Sequence, residues 1–170
     1  VESEVVYLGL GSNLGDKVAQ CLLALKEVSA DNHNQIKAVS SLYKTEPIGY
    51  QDQDWFINCV TEVSTTLPPH TLQEFLQDIE KRMGRKKTVK MGPRIIDLDI
   101  LLYGNEIVKE GGLIIPHPHL HERRFVLVPL AELAPNLLHP VLKKTVAELL
   151  KEREDGSVEL YAPPPREVYQ

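Results

Sequence analysis

Cysteine, tryptophan and methionine are scarce in this 170-residue chain, with two, one and two copies respectively. With only Cys21 and Cys59, a disulfide scaffold and a C-x-x-C metal or redox motif are both excluded. Cys21 falls on the apolar side of a predicted helix and Cys59 in a predicted strand. Both read as packing thiols, and a reducing, cytoplasmic setting is expected. No apolar run approaches the roughly 20 residues that span a bilayer, and the N-terminus has no signal-peptide pattern, so no membrane partner is expected. Aromatics are only 6% of the chain and the net charge is −5, which leaves no basic, aromatic-interleaved surface for nucleic acid. There is no internal repeat, no low-complexity tract and no G-K-[ST] of a P-loop. Gly9-x-Gly11-x-x-x-Gly15 is one residue too long for a dinucleotide fingerprint and lacks the βαβ unit that should follow. It reads instead as a tight strand-to-helix turn.

The length suits one domain, placed at 1–160, with an extended Pro-rich tail over 161–170. Val5 to Leu10 is a strand candidate. A helix should follow, capped by Asp16, with Val18, Cys21, Leu22, Leu25 and Val28 at helical spacing. Ile36–Tyr43 reads as one strand and Phe56–Thr65 as another. The long connection between them, Lys44 to Trp55, is of a length that usually carries function. After Pro68-Pro69, Leu72, Phe75, Leu76, Ile79 and Met83 mark an amphipathic helix ended by Gly84. A basic loop, 85–94, precedes an apolar strand holding Asp97 and Asp99. Short strands near Glu106–Val108 and Leu113–Ile115 and helical stretches over 125–134 and 146–152 complete the pattern. Helices interleaved with strands in no strict βαβ rhythm predict an α+β sandwich, with helices on one mainly antiparallel sheet.

The segment Gly92-Pro93-Arg94-Ile95-Ile96-Asp97-Leu98-Asp99-Ile100 carries the most chemistry. Strand side chains alternate faces, so Asp97 and Asp99 point the same way. Two like charges on one face of an apolar strand repel unless something positive compensates them. That partner is either a hard cation such as Mg²⁺, completed by substrate phosphates, or a nearby Arg or Lys. Cations in loop 85–94 for phosphates and carboxylates for Mg²⁺ are the two halves of a nucleoside-triphosphate site. His117, His119 and His121 alternate like metal ligands, but Pro118 interrupts them and no zinc spacing is completed, so a histidine donating to phosphate or ribose is the better reading. Trp55, Phe56 and Asn58 put aromatic surface beside an amide, which suits either the core or a planar heterocycle.

Taken together, these motifs resemble those of the 6-hydroxymethyl-7,8-dihydropterin pyrophosphokinases of folate biosynthesis. The likeness runs through Gly9–Asp16, Ser40–Gly49, Asp54–Asn58, Gly92–Asp99, Pro116–Pro118 and Glu122–Phe125, and so over most of the chain to about Leu150. It implies a ferredoxin-like fold and transfer of pyrophosphate from ATP to the pterin hydroxymethyl group, releasing AMP. It implies two Mg²⁺ ions on Asp97 and Asp99, with Arg94 beside them in the catalytic set. Phe56 and Phe125 would sandwich the pterin, Asn58 would hydrogen-bond it, and Thr45, Pro47 and Ile48 would help to hold it. Gln77, Glu80, Arg85, Arg94, Ile100, His117 and Arg123 would lie along the nucleotide. Two positions depart from relatives: Met91 replaces an aromatic before Gly-Pro-Arg, and Gly111-Gly112 lacks a cation that Lys109 would have to supply. A monomer acting only on small molecules is expected. The competing reading is a non-catalytic nucleotide- or metal-binding regulatory module on the same scaffold.

Overall fold

The computed structural model describes residues 2–47, 52–84, 93–154 and 156–166. Chain order is β1 (Glu4–Ser12), α1 (Lys17–Ala30), β2 (Asn34–Val39), β3 (Leu42–Thr45), β4 (Phe56–Thr65), α2 (Pro69–Arg82) and β5 (Asp97–Tyr103). It continues through β6 (Val108–Glu110), β7 (Leu113–Ile115), a 3-10 turn at Leu120–Glu122, α3 (Arg124–Leu133), α4 (Val146–Lys151) and β8 (Val158–Ala162). The main sheet runs β5-β1-β4-β3-β8, with β2 also on β4, and its pairings are all antiparallel; β6 and β7 form a separate hairpin. No helix among the described residues is long and apolar enough to cross a membrane. The expected α+β architecture is therefore present.

Strand alternation sorts the apolar residues into two cores. Val6, Leu8, Leu10, Ile57, Cys59, Leu98 and Ile100 turn to one face, where α1 packs Cys21, Ala24, Leu25 and Val28 and α2 packs Leu72, Leu76 and Ile79. Tyr7, Val60, Leu101 and Leu102 turn to the other, the adjacent leucines sharing a face at the β1–β5 irregularity, against Val126, Leu127 and Leu130 of α3 and Val146 and Leu149 of α4. The helix caps follow local chemistry: Asp16 accepts the Ala19 N–H, Thr145 and Glu148 form a capping box, and Gly84 takes φ +91° just past α2.

Several expectations need correction. The single strand read over 36–43 is two strands, broken at Ser40-Ser41. The Ser40 hydroxyl accepts the Val60 N–H at 2.9 Å, replacing a main-chain ladder bond, and Glu132 of α3 captures the Ser41 N–H at 3.0 Å. β1 runs past Leu10 to Ser12, so Gly11 lies inside the strand rather than in a turn; Gly15, at φ +66°, makes the turn. β6 begins at Val108, because the chain is still turning when the Glu106 N–H donates to the Tyr103 carbonyl. β8 was not anticipated as a strand. It pairs with β3 and crosses the position, 160/161, at which the sequence divides domain from tail.

Candidate active site

On the α3 side of the sheet, directly paired residues bring a row of small and polar groups together. Gly11 of β1 lies between Asn58 of β4 and Asp97 of β5, and Gly9 between Val60 and Asp99. Facing pairs share a face, so the two glycines form a floor between an amide and a carboxylate pair. A Cβ on Gly11 would sit 2.6 Å from the Asn58 amide nitrogen, closer than real contacts allow. Glycine in this strand interior is therefore a requirement of close packing.

A cavity of about 290 Å³ opens over this floor. Its lining includes Thr45, Phe56, Asn58, Arg94, Asp97, Asp99, His117, Arg123 and Phe125. Thr45, opposite Phe56 in register, donates its hydroxyl to the Asn58 amide oxygen, and the Asn58 amide donates to the Leu10 carbonyl at 3.3 Å. An amide has two N–H donors and two oxygen lone pairs, so Asn58 is locked in orientation with capacity left on each side. Phe125 stands at the start of α3, with the Arg123 guanidinium 5.6 Å from its ring centre.

A second cavity, about 300 Å³, lies between α2, β5 and the β6–β7 hairpin. Gln73, Gln77 and Glu80 line it from α2, Ile100 from β5, and Gly112 and Ile114 from the hairpin. Asp97, Asp99, His117 and Pro118 line both cavities, so the two meet at the carboxylate pair. Between the aspartates in sequence, the Leu98 N–H donates to Glu80 at 2.8 Å, which ties this buried carboxylate to the strand backbone. Gly111 and Gly112, at φ +61° and +78°, make the hairpin tip, a backbone shape that a residue with a side chain rarely adopts.

His117 joins the cavities electrically as well as spatially. Burial pushes its imidazole down to about 4, with Arg123 and His119 adding to the effect. Its Nδ1 accepts the His119 N–H at 3.2 Å, which leaves Nε2 as the N–H donor of a neutral ring at pH 7.

Asn13, 2% exposed, fixes the margin of the site. Its amide donates to Gln53 at 2.9 Å and to the Asp54 carbonyl at 3.0 Å. Its side-chain oxygen accepts the Arg94 N–H at 2.7 Å, and its own N–H donates to the Arg94 carbonyl at 3.0 Å. One buried asparagine therefore joins the segment before β4 to the segment before β5.

Most residues singled out from the sequence fall on one cavity or the other. Pro47 is not among the lining of either. Ile48, Arg85 and Met91 lie outside the described residues, as does most of the basic loop. The sequence reading missed Gly9, Gly11, Gln73 and Ile114 as wall residues and Asn13 as a tie. A glycine pair at alternate positions of an apolar strand was the available signal for the floor.

Known proteins share this sequence pattern and this fold. Residues 7–135 match the family described as 7,8-dihydro-6-hydroxymethylpterin-pyrophosphokinase. The 2-amino-4-hydroxy-6-hydroxymethyldihydropteridine pyrophosphokinase of Methylorubrum extorquens is 42% identical over 90% of this chain and 96% of its own length. That of Haemophilus influenzae is 44% identical over 88% and 92%. The folic acid synthesis protein FOL1 of Dictyostelium discoideum is 43% identical over 96% of this chain, which spans only 25% of that longer protein. In fold, wild-type Plasmodium falciparum HPPK-DHPS with pterin and p-hydroxybenzoate superposes with a TM-score of 0.69, covering 89% of this chain and 42% of its own, at 16% identity. Matched along most of its length, the chain belongs to the 7,8-dihydro-6-hydroxymethylpterin-pyrophosphokinase family.

Proposed function

We propose that this chain transfers pyrophosphate from ATP to 6-hydroxymethyl-7,8-dihydropterin, forming the pterin diphosphate and AMP. The observation that carries the reading is the meeting of two cavities at Asp97 and Asp99. The first suits a flat heterocycle: Phe56 and Phe125 supply ring faces, Asn58 reads the edge, and Thr45 holds Asn58 in register. The family resemblance adds Pro47 and Ile48 to the pterin-binding set. The second takes the nucleotide, along Gln77, Glu80 and Ile100. Arg94, Arg123 and His117 donate to the phosphates between them, and Arg85 belongs to the same set.

The donor set fits Mg²⁺. Asp97 and Asp99 offer hard oxygen ligands on one face of β5. That suits an ion that takes one or two carboxylates and completes its shell with phosphates and water. Two Mg²⁺ ions held there would neutralise phosphate charge and polarise the reacting centre. The chain's own part is positional. The cavities hold the pterin hydroxyl in line with the β-phosphorus, so its oxygen forms the new P–O bond while the bond to the α,β-bridging oxygen breaks. That oxygen leaves on AMP, and the hydroxyl proton passes to solvent. Arginine and neutral His117 donate to phosphate oxygens as charge shifts between them.

The reading includes a monomer acting on small molecules. The buried free thiols Cys21 and Cys59 support a reducing, cytoplasmic setting. The decisive assay is AMP formation from ATP with and without the hydroxymethyl-dihydropterin. AMP should appear only when both substrates and Mg²⁺ are present. Nucleotide binding without pterin-dependent AMP would replace this reading with that of a regulatory module.

A further inference from the structure

Behind the pterin-side wall, α1, β3 and β8 converge on one indole. Trp55, which directly precedes Phe56, packs against the main core with its ring under three side chains. The Lys17 ammonium of α1 stands 3.6 Å from the ring centre and the Lys44 ammonium of β3 4.8 Å. The Tyr161 ring of β8 lies 5.8 Å away, tilted by 43°. Lys17 also donates to Asp54 at 2.7 Å, and the second oxygen of that carboxylate accepts the Trp55 N–H at 2.9 Å. The register explains why Tyr161 reaches the indole. β8 pairs Ala162 with Leu42 and Leu160 with Tyr43, so Tyr161 is the extra residue at the irregularity. Leu160 shares the α3 side with Tyr43, so alternation turns Tyr161 to the opposite face, where Lys44 meets Trp55.

Each participant adjoins a residue of the site. Lys44 precedes Thr45, Trp55 precedes Phe56, and Thr45 and Phe56 face each other in register. β8 runs along β3 from Leu42 to Thr45, and the Glu46 N–H donates to the Ser157 carbonyl at 3.3 Å. We propose that Tyr161 is a positioning residue for the pterin-side cavity. It acts through Trp55, with Lys17 and Lys44 on the same ring, to hold Thr45 and Phe56 at the separation the substrate needs. The inference rests on the function proposed above. It assigns a substrate-binding role to β8, whose residues line neither cavity.

The test compares wild type, Tyr161→Ala, Tyr161→Phe and Lys17→Met by calorimetry, titrating first an unreactive ATP analogue and then pterin. Loss of an aromatic contact of this kind should weaken pterin binding by about three- to tenfold in Tyr161→Ala. The ATP-analogue affinity should stay within about twofold, and kcat at saturating pterin should stay near wild type, so the damage falls on the pterin KM. Tyr161→Phe, which keeps the ring, should restore binding, and Lys17→Met should shift it in the same direction as Tyr161→Ala. Because Trp55 is the only tryptophan, 5-fluorotryptophan labelling gives one fluorine resonance. That resonance should move when pterin binds wild type and should be displaced at rest in Tyr161→Ala. If Tyr161→Ala does not fold, Tyr161→Thr keeps strand propensity without the ring and serves the same comparison.

Equal losses in both affinities accompanied by a lower Tm would make the cluster a stability feature and overturn the inference. So would unchanged pterin affinity, or a Tyr161→Phe variant as impaired as Tyr161→Ala. Failure of the wild-type chain to bind pterin overturns the proposed function and this inference together, whereas loss confined to the variants bears on the inference alone.

Discussion

The two cavities are built differently, and the contrast indicates where selectivity resides. The first sits on the sheet face, and its key side chains are tied to one another: Thr45 to Asn58, Asn58 to Leu10, and Gly11 packed against the Asn58 amide. The second spans three elements that meet at an edge of the sheet. Its walls are joined through Glu80 to Leu98 and through His70 of α2, whose Nε2 donates to the Glu110 carbonyl at 3.0 Å. A pre-formed wall discriminates by shape and hydrogen-bond edge, because a mismatched ligand leaves buried polar groups unpaired. A wall assembled from separate elements adapts more readily. The first cavity is therefore expected to be strict and the second tolerant.

The largest effect should come from the groups that both cavities share. Asp97→Ala or Asp99→Ala is expected to cut turnover by about three orders of magnitude, since each would take away a ligand of the Mg²⁺ proposed to offset charge at the reacting phosphate. The fold should survive either change, with Tm of the metal-free protein close to wild type. Steady-state AMP release and thermal melts check the pair of outcomes. Undiminished turnover at saturating Mg²⁺ would remove the carboxylates from the shared role.

The next effect should divide the cavities. Asn58→Ala leaves Thr45 without its acceptor and the ligand edge without its reader, at about 1–3 kcal/mol, or roughly a 5- to 150-fold loss in pterin affinity. Gly11→Ala should act in the same direction by pushing the Asn58 amide aside. Neither change should alter binding of an unreactive ATP analogue by more than about twofold. Calorimetry on both variants measures this, and a nucleotide loss equal to the pterin loss would dissolve the distinction. A smaller effect, confined to the other cavity, should follow His70→Ala. An exposed hydrogen bond of about 0.5–1 kcal/mol gives only a few-fold weakening of nucleotide binding, with pterin binding unchanged.

What was legible in the sequence followed local periodicity. Asp97 and Asp99 could be placed on one face because strand alternation is a property of the chain itself, and α2 could be read from the spacing of Leu72, Leu76 and Ile79. What was hidden depended on partners distant in sequence. Ser40-Ser41 breaks a strand because Val60 and Glu132 compete for its hydrogen bonds. The two glycines of β1 become a floor only when β4 and β5 flank them. β8 exists because β3 offers it an edge, and nothing in Val158–Ala162, set between Gly156 and three prolines, announces that pairing. Asn13 looks like any loop asparagine until the segments before β4 and β5 are brought to its two sides.

The remaining expected effect concerns His117, which lines both cavities, and it appears as a slope of stability with pH. Burial holds its folded-state imidazole at about 4, whereas an unfolded histidine titrates near 6.5. Above about 6.5 both states are neutral and the histidine contributes no pH dependence. As the pH falls from there toward about 4, the unfolded chain binds a proton that the folded chain refuses, so stability declines across that window. Below about 4 the folded state is protonated as well and this contribution levels off. Urea unfolding at several pH values should show the decline in wild type, and His117→Gln, which keeps a neutral donor, should lessen it. His139, which burial also holds below its ordinary value, would leave a residual slope in the variant. Bound nucleotide should flatten the wild-type profile too, because phosphate beside the ring favours the imidazolium and raises its folded-state value toward the unfolded one. A profile unchanged by both His117→Gln and nucleotide would place His117 away from the phosphates and leave the junction to the two aspartates alone.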